Sequence, residues 1–138
     1  MALNLSTQND PAKMILIDSH VLLWRLDRKT RLLDAADEAL IDDPNTPVFV
    51  SIASLWELAI KAGKGKLTLP PDFRDKVAEA GIEVLEISAE HALAVAALPR
   101  LHGDPFDRML VVQALARKLT LMTSDKKLAD YGVRIHAV

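Results

Sequence analysis

Four carboxylates stand where an α/β chain could turn them toward one another: Asp18, Glu57, Asp107 and Asp125. In an open α/β sheet, ligands gather outside the carboxyl ends of the strands. Asp18 directly follows the apolar run Met14-Ile15-Leu16-Ile17, and Asp125 follows Leu119 to Met122 after Thr123-Ser124. Taken singly, each also fits a cap on the helix that comes next. Glu57 lies beside the stripe Ile52, Leu55, Trp56, Ala59 and Ile60, whose helical spacing marks it as the expected buried face. The plainer use of Glu57 is a surface pair with Lys61 one turn on, worth only about 0.2–0.5 kcal/mol. Asp104 followed by Pro105 reads as N-cap and first helical residue, which puts Asp107 where the helix dipole favours an acid. Leu110, Val111, Ala114 and Leu115 follow Asp107 at helical spacing, so its side chain is directed along the apolar face. A carboxylate turned inward needs a partner, and Arg108 is on a different face.

A divalent cation would serve all four acids, because they offer the hard oxygen ligands that Mg2+ or Mn2+ prefers. Without it the crowded carboxylates would repel, and each would hold its proton more tightly.

The elements that must position these residues alternate. Strands are expected at Met14 to Ile17, Val48 to Val50, Glu83 to Ile87, Leu119 to Met122 and Val133 to His136. Helices are expected at Ser19 to Leu26, Leu32 to Ile41, Ile52 to Ala62, Asp72 to Ala80, Ala89 to Ala97, Asp104 to Lys118 and Lys126 to Tyr131. Most strand runs are continuously apolar, as in strands covered on both faces. The class is therefore α/β: a small twisted parallel sheet of four to five strands, flanked by helices on both faces. Residues 1–13 are polar, without the basic start or apolar core of a signal peptide, and read as a flexible extension ahead of a single domain over 14–138.

At 138 residues, 50% of them hydrophobic, the chain suits one well-cored domain. Seventeen Lys and Arg against 19 Asp and Glu exclude nucleic-acid binding by bulk positive charge, so any such contact must be local. The absence of cysteine excludes disulfides, thiolate metal sites and a cysteine nucleophile, and fits a cytoplasmic location. No apolar run approaches the roughly 20 residues of a membrane span.

Four blocks, in this order, resemble the PIN-domain ribonucleases, and among them the VapC-type toxins of toxin–antitoxin pairs. They are Ile15-Leu16-Ile17-Asp18-Ser19-His20-Val21-Leu22-Leu23-Trp24; Ser51-Ile52-Ala53-Ser54-Leu55-Trp56-Glu57 with Ile60-Lys61 and Gly65-Lys66-Leu67; His102-Gly103-Asp104-Pro105-Phe106-Asp107-Arg108 with Gln113-Ala114; and Leu121-Met122-Thr123-Ser124-Asp125. The resemblance spans nearly everything from Met14 to Val138. It implies a metal-dependent endoribonuclease that a cognate antitoxin holds inactive, with Asp18, Glu57, Asp107 and Asp125 as the catalytic, metal-holding acids. Ser19 stands where many relatives carry Thr, and Asp104 takes the cap; with Ser124 these are accessory candidates. One or two Mg2+ or Mn2+ ions would orient the scissile phosphate and activate water, leaving a 5′-phosphate and a 3′-hydroxyl.

Lys61, Lys64, Lys66 and Arg108 could track an RNA backbone locally, or simply form a solvated face. His20, His91, His102 and His136 lack metal-ligand spacing and read as structural or surface residues, and Trp24 and Trp56 as core. Leu22, Leu23, Trp24 and Leu26, with Leu67 and Leu69, exceed what so small a domain buries. A homodimer face and an antitoxin groove are the uses the resemblance implies. Rival readings are a non-catalytic interaction domain and a nuclease acting on single-stranded DNA. Aspartyl-phosphate chemistry is disfavoured, since it would want an acid two residues after Asp18, where His20 stands.

Overall fold

The computed structural model describes residues 14–28 and 32–138; the extension expected over residues 1–13 lies outside them. Among the described residues, five parallel strands form one sheet: β1 (Ile15–Ile17), β2 (Val48–Ser51), β3 (Ile82–Leu85), β4 (Thr120–Thr123) and β5 (Ile135–Ala137). Their order is β3-β2-β1-β4-β5. Connecting them are helices α1 (Ser19–Leu26), α2 (Ala35–Asp42), α3 (Ile52–Gly63), α4 (Phe73–Glu79), α5 (Ala89–Ala94) and α6 (Pro105–Arg117). Tight 3-10 turns occupy Val95–Ala97 and Lys126–Tyr131.

Successive strand residues point to opposite faces, so the sheet carries two cores. Ile15 and Ile17 join Val21, Leu22, Val48, Val50, Leu58 and Met122 on one side. Leu16 joins Leu110, Val111, Ala114 and Leu121 on the other. From β1 the chain builds outward to β2 and β3, then returns to lay β4 against the opposite edge of β1. The topological switch point therefore falls between the carboxyl ends of β1 and β4. Ile17 is in register with Met122 there, and the Asp18 N–H donates to the Met122 carbonyl at 3.1 Å.

Local chemistry moves several boundaries. Helix α2 starts at Ala35 rather than Leu32, because Asp34 and Asp37 form a reciprocal capping box. The helix expected through Ala97 closes at Ala94 and tightens into a 3-10 turn ahead of Pro99, whose ring disfavours helical geometry before it.

Helix α3 overturns one reading. Its buried residues are Ala53, Ser54 and Leu58, while Ile52 is 39% and Trp56 62% exposed. The helix turns inward the side roughly opposite the one its apolar spacing marks, about half a turn away. Ser51 explains the turn: it is at once the last residue of β2 and the N-cap of α3, accepting from the Ala53 N–H at 3.0 Å. With no loop between strand and helix, the strand sets the rotation. Trp24, in contrast, packs against the core. Of the surplus apolar residues, Leu22 is core, whereas Leu23, Trp24, Leu26, Leu67 and Leu69, joined by Phe73, line a groove of about 480 Å3.

Candidate metal centre

Asp18 leaves β1 at the switch point and caps α1, its carboxylate accepting from the Val21 N–H at 2.8 Å. The buried Thr123 at the end of β4 reaches it from the neighbouring strand, its hydroxyl bonding to the Asp18 carboxylate. The same Oγ1 accepts from the Asp125 N–H at 3.1 Å. One hydroxyl thus ties the acids of the two strand ends together. Glu57 follows from the rotation of α3: with Ser54, Leu58 and Lys61 it shares the inward side, and its side chain is only 16% exposed. It accepts from the Ser19 Oγ at 2.8 Å and lies 3.5 Å from the Lys61 Nζ.

The fourth element is α6. Asp104 caps it, accepting from the N–H groups of Phe106 and Asp107 at 2.8 and 3.1 Å. Asp107, one turn in, is held toward the strand ends by Leu110, Val111 and Ala114, which are buried beneath it. Asp125 caps the last 3-10 turn through one oxygen, accepting from the Lys127 N–H at 3.1 Å. Its other oxygen lies 2.8 Å from the His102 Nε2. The Asp104 N–H donates to the His102 Nδ1 at 3.3 Å, which leaves the proton of the neutral ring on Nε2, directed at Asp125.

Asp18, Glu57, Asp104, Asp107 and Asp125 line one cavity of about 160 Å3, together with Ser19, His20, Thr123 and Ser124. Burial pushes the Asp18 carboxyl above its usual range, against the pull of the Thr123 and Val21 hydrogen bonds. Asp107 is pushed up to about 7, first by burial, then by repulsion from Asp104, with Glu57 and Asp18 adding to it and His102 opposing. Acids that resist ionisation when packed together fit a cation, which would neutralise them. Ligand atoms of His102, Asp107 and Asp125 lie within 4.8 Å of one another, close enough to share a metal ion. The oxygen-rich set suits Mg2+ or Mn2+.

His102 corrects its assignment as a structural or surface residue: it joins the acid group. His136 is structural, bonding to the buried Asp37 at 2.8 Å. Arg108, counted among the RNA contacts, is spent on the protein. Its guanidinium donates to the carbonyls of Pro99, Val95 and Leu98 and to the Tyr131 hydroxyl at 2.8–3.3 Å. Lys64 and Lys66 are exposed beyond the end of α3, outside the acid cavity. Thr123 and His102 are the participants that sequence reasoning missed. A β-branched hydroxyl ending a buried strand beside Asp125 was the available signal for Thr123; His102 sits in an aperiodic loop that carries none.

Known proteins share the sequence pattern and the fold of this chain. The chain is 29% identical over 121 residues to Ribonuclease VapC22 of Mycobacterium tuberculosis (strain ATCC 25618 / H37Rv), covering 85% of this chain and 91% of the relative. Its fold is similar to a chain of VapBC2 from Rickettsia felis, solved bound to a DNA fragment from their promoter, with a TM-score of 0.67 and 16% identity over 90% of this chain and 98% of that one. A domain of a functionally unknown protein from Methanocaldococcus jannaschii DSM 2661 superimposes with a TM-score of 0.57 and 20% identity, covering 92% and 91% of the two chains. The sequence profile of the PIN domain matches residues 15–133. Spanning both edges of the switch point and every acid around it, that match shows that the chain belongs to the PIN-domain family.

Proposed function

We propose that the chain is a metal-dependent endoribonuclease, the toxin of a toxin–antitoxin pair similar to VapC. The observation that carries this reading is the convergence of Asp18, Glu57, Asp107 and Asp125 on one small cavity at the switch point, with Asp18 and Asp107 resisting ionisation. A binding scaffold has no use for inward acids that destabilise it when empty.

Asp18, Glu57, Asp107 and Asp125, which line one cavity, would hold Mg2+ or Mn2+. When bound, the ion supplies Lewis acidity at the scissile phosphate and a water of lowered pKa. Ser19 keeps Glu57 in place through its hydroxyl, and Thr123 keeps Asp18 and Asp125 in register. Lys61, which pairs with Glu57, would meet a phosphate oxygen, and the exposed Lys64 and Lys66 would extend the positive side toward a flanking backbone.

The groove of Leu23, Trp24, Leu26, Leu67, Leu69 and Phe73 is the surface we assign to an antitoxin polypeptide, and the exposed stripe of Ile52 and Trp56 to a second copy of the chain. No helix among the described residues is long and apolar enough to cross a membrane.

The test is cleavage of end-labelled tRNA and ribosomal RNA with Mg2+, with Mn2+ and with EDTA, alongside Asp18→Asn and Asp107→Asn. Discrete metal-dependent cuts lost in both variants are expected. Folded, metal-loaded chain that cuts matched single-stranded DNA but not RNA would assign it to DNA, and a chain that cuts neither would make it a binding module.

A further inference from the structure

A second cavity adjoins the acids, and its chemistry is the opposite of theirs. It measures about 430 Å3 and is lined by Val95, Ala96, Arg100, Leu101, His102, Gly103 and Arg108. Not one lining residue is acidic, whereas five acids line the neighbouring cavity. His102 links the two: it lines this cavity while its Nε2 lies 2.8 Å from Asp125, which lines the other.

Arg108 makes the cavity rigid. By donating to the carbonyls of Val95, Leu98 and Pro99 and to Tyr131, it fastens the segment that forms the wall onto α6 and the last turn. Preformed walls cost a ligand less ordering on binding. Arg100 stands exposed at this cavity and makes no ion pair among the described residues, so its five donors are available to an anion. Beside it Leu101 is 57% exposed, an apolar plate of the kind a base face packs against. Gly103, on the wall, has open space where a side chain would stand.

We propose that this cavity is a nucleotide subsite: it takes the nucleotide that flanks the scissile phosphate, with Arg100 on its phosphate and Leu101 against its base. The inference rests on the ribonuclease reading, because it assumes an RNA phosphate among the acids. A strand placed there must lead its next phosphate away from five carboxylates, and the cavity behind His102 offers a cationic, acid-free path. Its volume lies within the range of small-ligand pockets.

The experiment compares wild type, Arg100→Ala, Arg100→Lys and Leu101→Ala on a fluorescent single-stranded RNA. Affinity is read by anisotropy in EDTA across a salt series, and cleavage is read with Mn2+. Arg100→Ala should weaken binding and raise KM about five- to tenfold, with kcat and the Mn2+ midpoint unchanged. It should also flatten the dependence of log Kd on log salt by about 0.7, the share of one phosphate contact on a single strand. Arg100→Lys should restore most of that slope, and Leu101→Ala should alter cut-site preference without touching it. If wild type cuts RNA while Arg100→Ala keeps its KM and salt slope, the subsite is refuted and the nuclease reading stands. If wild type binds and cuts no RNA, both fall together.

Discussion

Replacing Asp107 with Asn should make the metal-free chain more stable and incapable of using metal. The carboxyl is carried from 3.8 to about 7, by burial first and by Asp104 next. Between those values the folded chain holds a proton that the unfolded chain has released, so raising the pH favours unfolding. Stability in EDTA should therefore fall from about pH 4 to about pH 7 and level off above it. For a fully buried group the penalty would be about 4 kcal/mol, at about 1.4 kcal/mol per pH unit. Asp107 is only partly buried, and water screening reduces this to about 1–2 kcal/mol. Asn keeps the shape and removes the charge, so at pH 8 in EDTA its Tm should exceed wild type by roughly 3–8 °C. Differential scanning calorimetry from pH 4 to 8 reads both the gain and the missing slope. A variant no more stable than wild type at pH 8, with the same pH dependence, would refute the claim that the acid is held against its ionisation.

Three further outcomes are expected. Saturating Mg2+ or Mn2+ should stabilise wild type by about 2.7 kcal/mol at a hundredfold excess over Kd, reversed by EDTA and absent in Asp107→Asn; thermal shift at pH 7.5 reads it. His102→Ala should lower Mn2+ affinity about tenfold or more by releasing the Asp125 carboxylate, and His102→Gln, which keeps a donor, should recover part of it; calorimetric titration with Mn2+ measures both. Asp37→Ala breaks the α2 capping box and strips His136 of its partner, so it should cost about 1–3 kcal/mol in urea unfolding and leave the Mn2+ titration unchanged.

The acids were legible because Asp18 and Asp125 follow strands whose carboxyl ends, in a parallel sheet, all lie at the same side, and Asp104-Pro105 announces the start of α6. Their partners were not. Thr123 reads as an ordinary strand residue until β1 and β4 are known to be adjacent. His102 meets Asp125 across 23 residues of sequence, a contact made by loop geometry rather than by any period. Trp56 misleads for a different reason. Apolar spacing reports which residues belong together on a helix, but the sheet decides which side faces in, and Ser51 joins β2 to α3 without slack. Arg108 looked like a phosphate ligand because charge was counted without the carbonyls of the 95–99 segment that consume it.

The placement of β1 in the middle of the sheet has a consequence for how the chain comes into being. Residues 15–85 can assemble β1, β2 and β3 as they are synthesised, but one edge of β1 stays open until Thr120–Thr123 arrives. Asp18 is made before Glu57 and Asp107, and Thr123 and Asp125 follow all three. A nascent chain thus carries Asp18, Glu57 and Asp107 before the strand that gathers them, and the centre closes only once Thr120–Thr123 has been made and laid against β1.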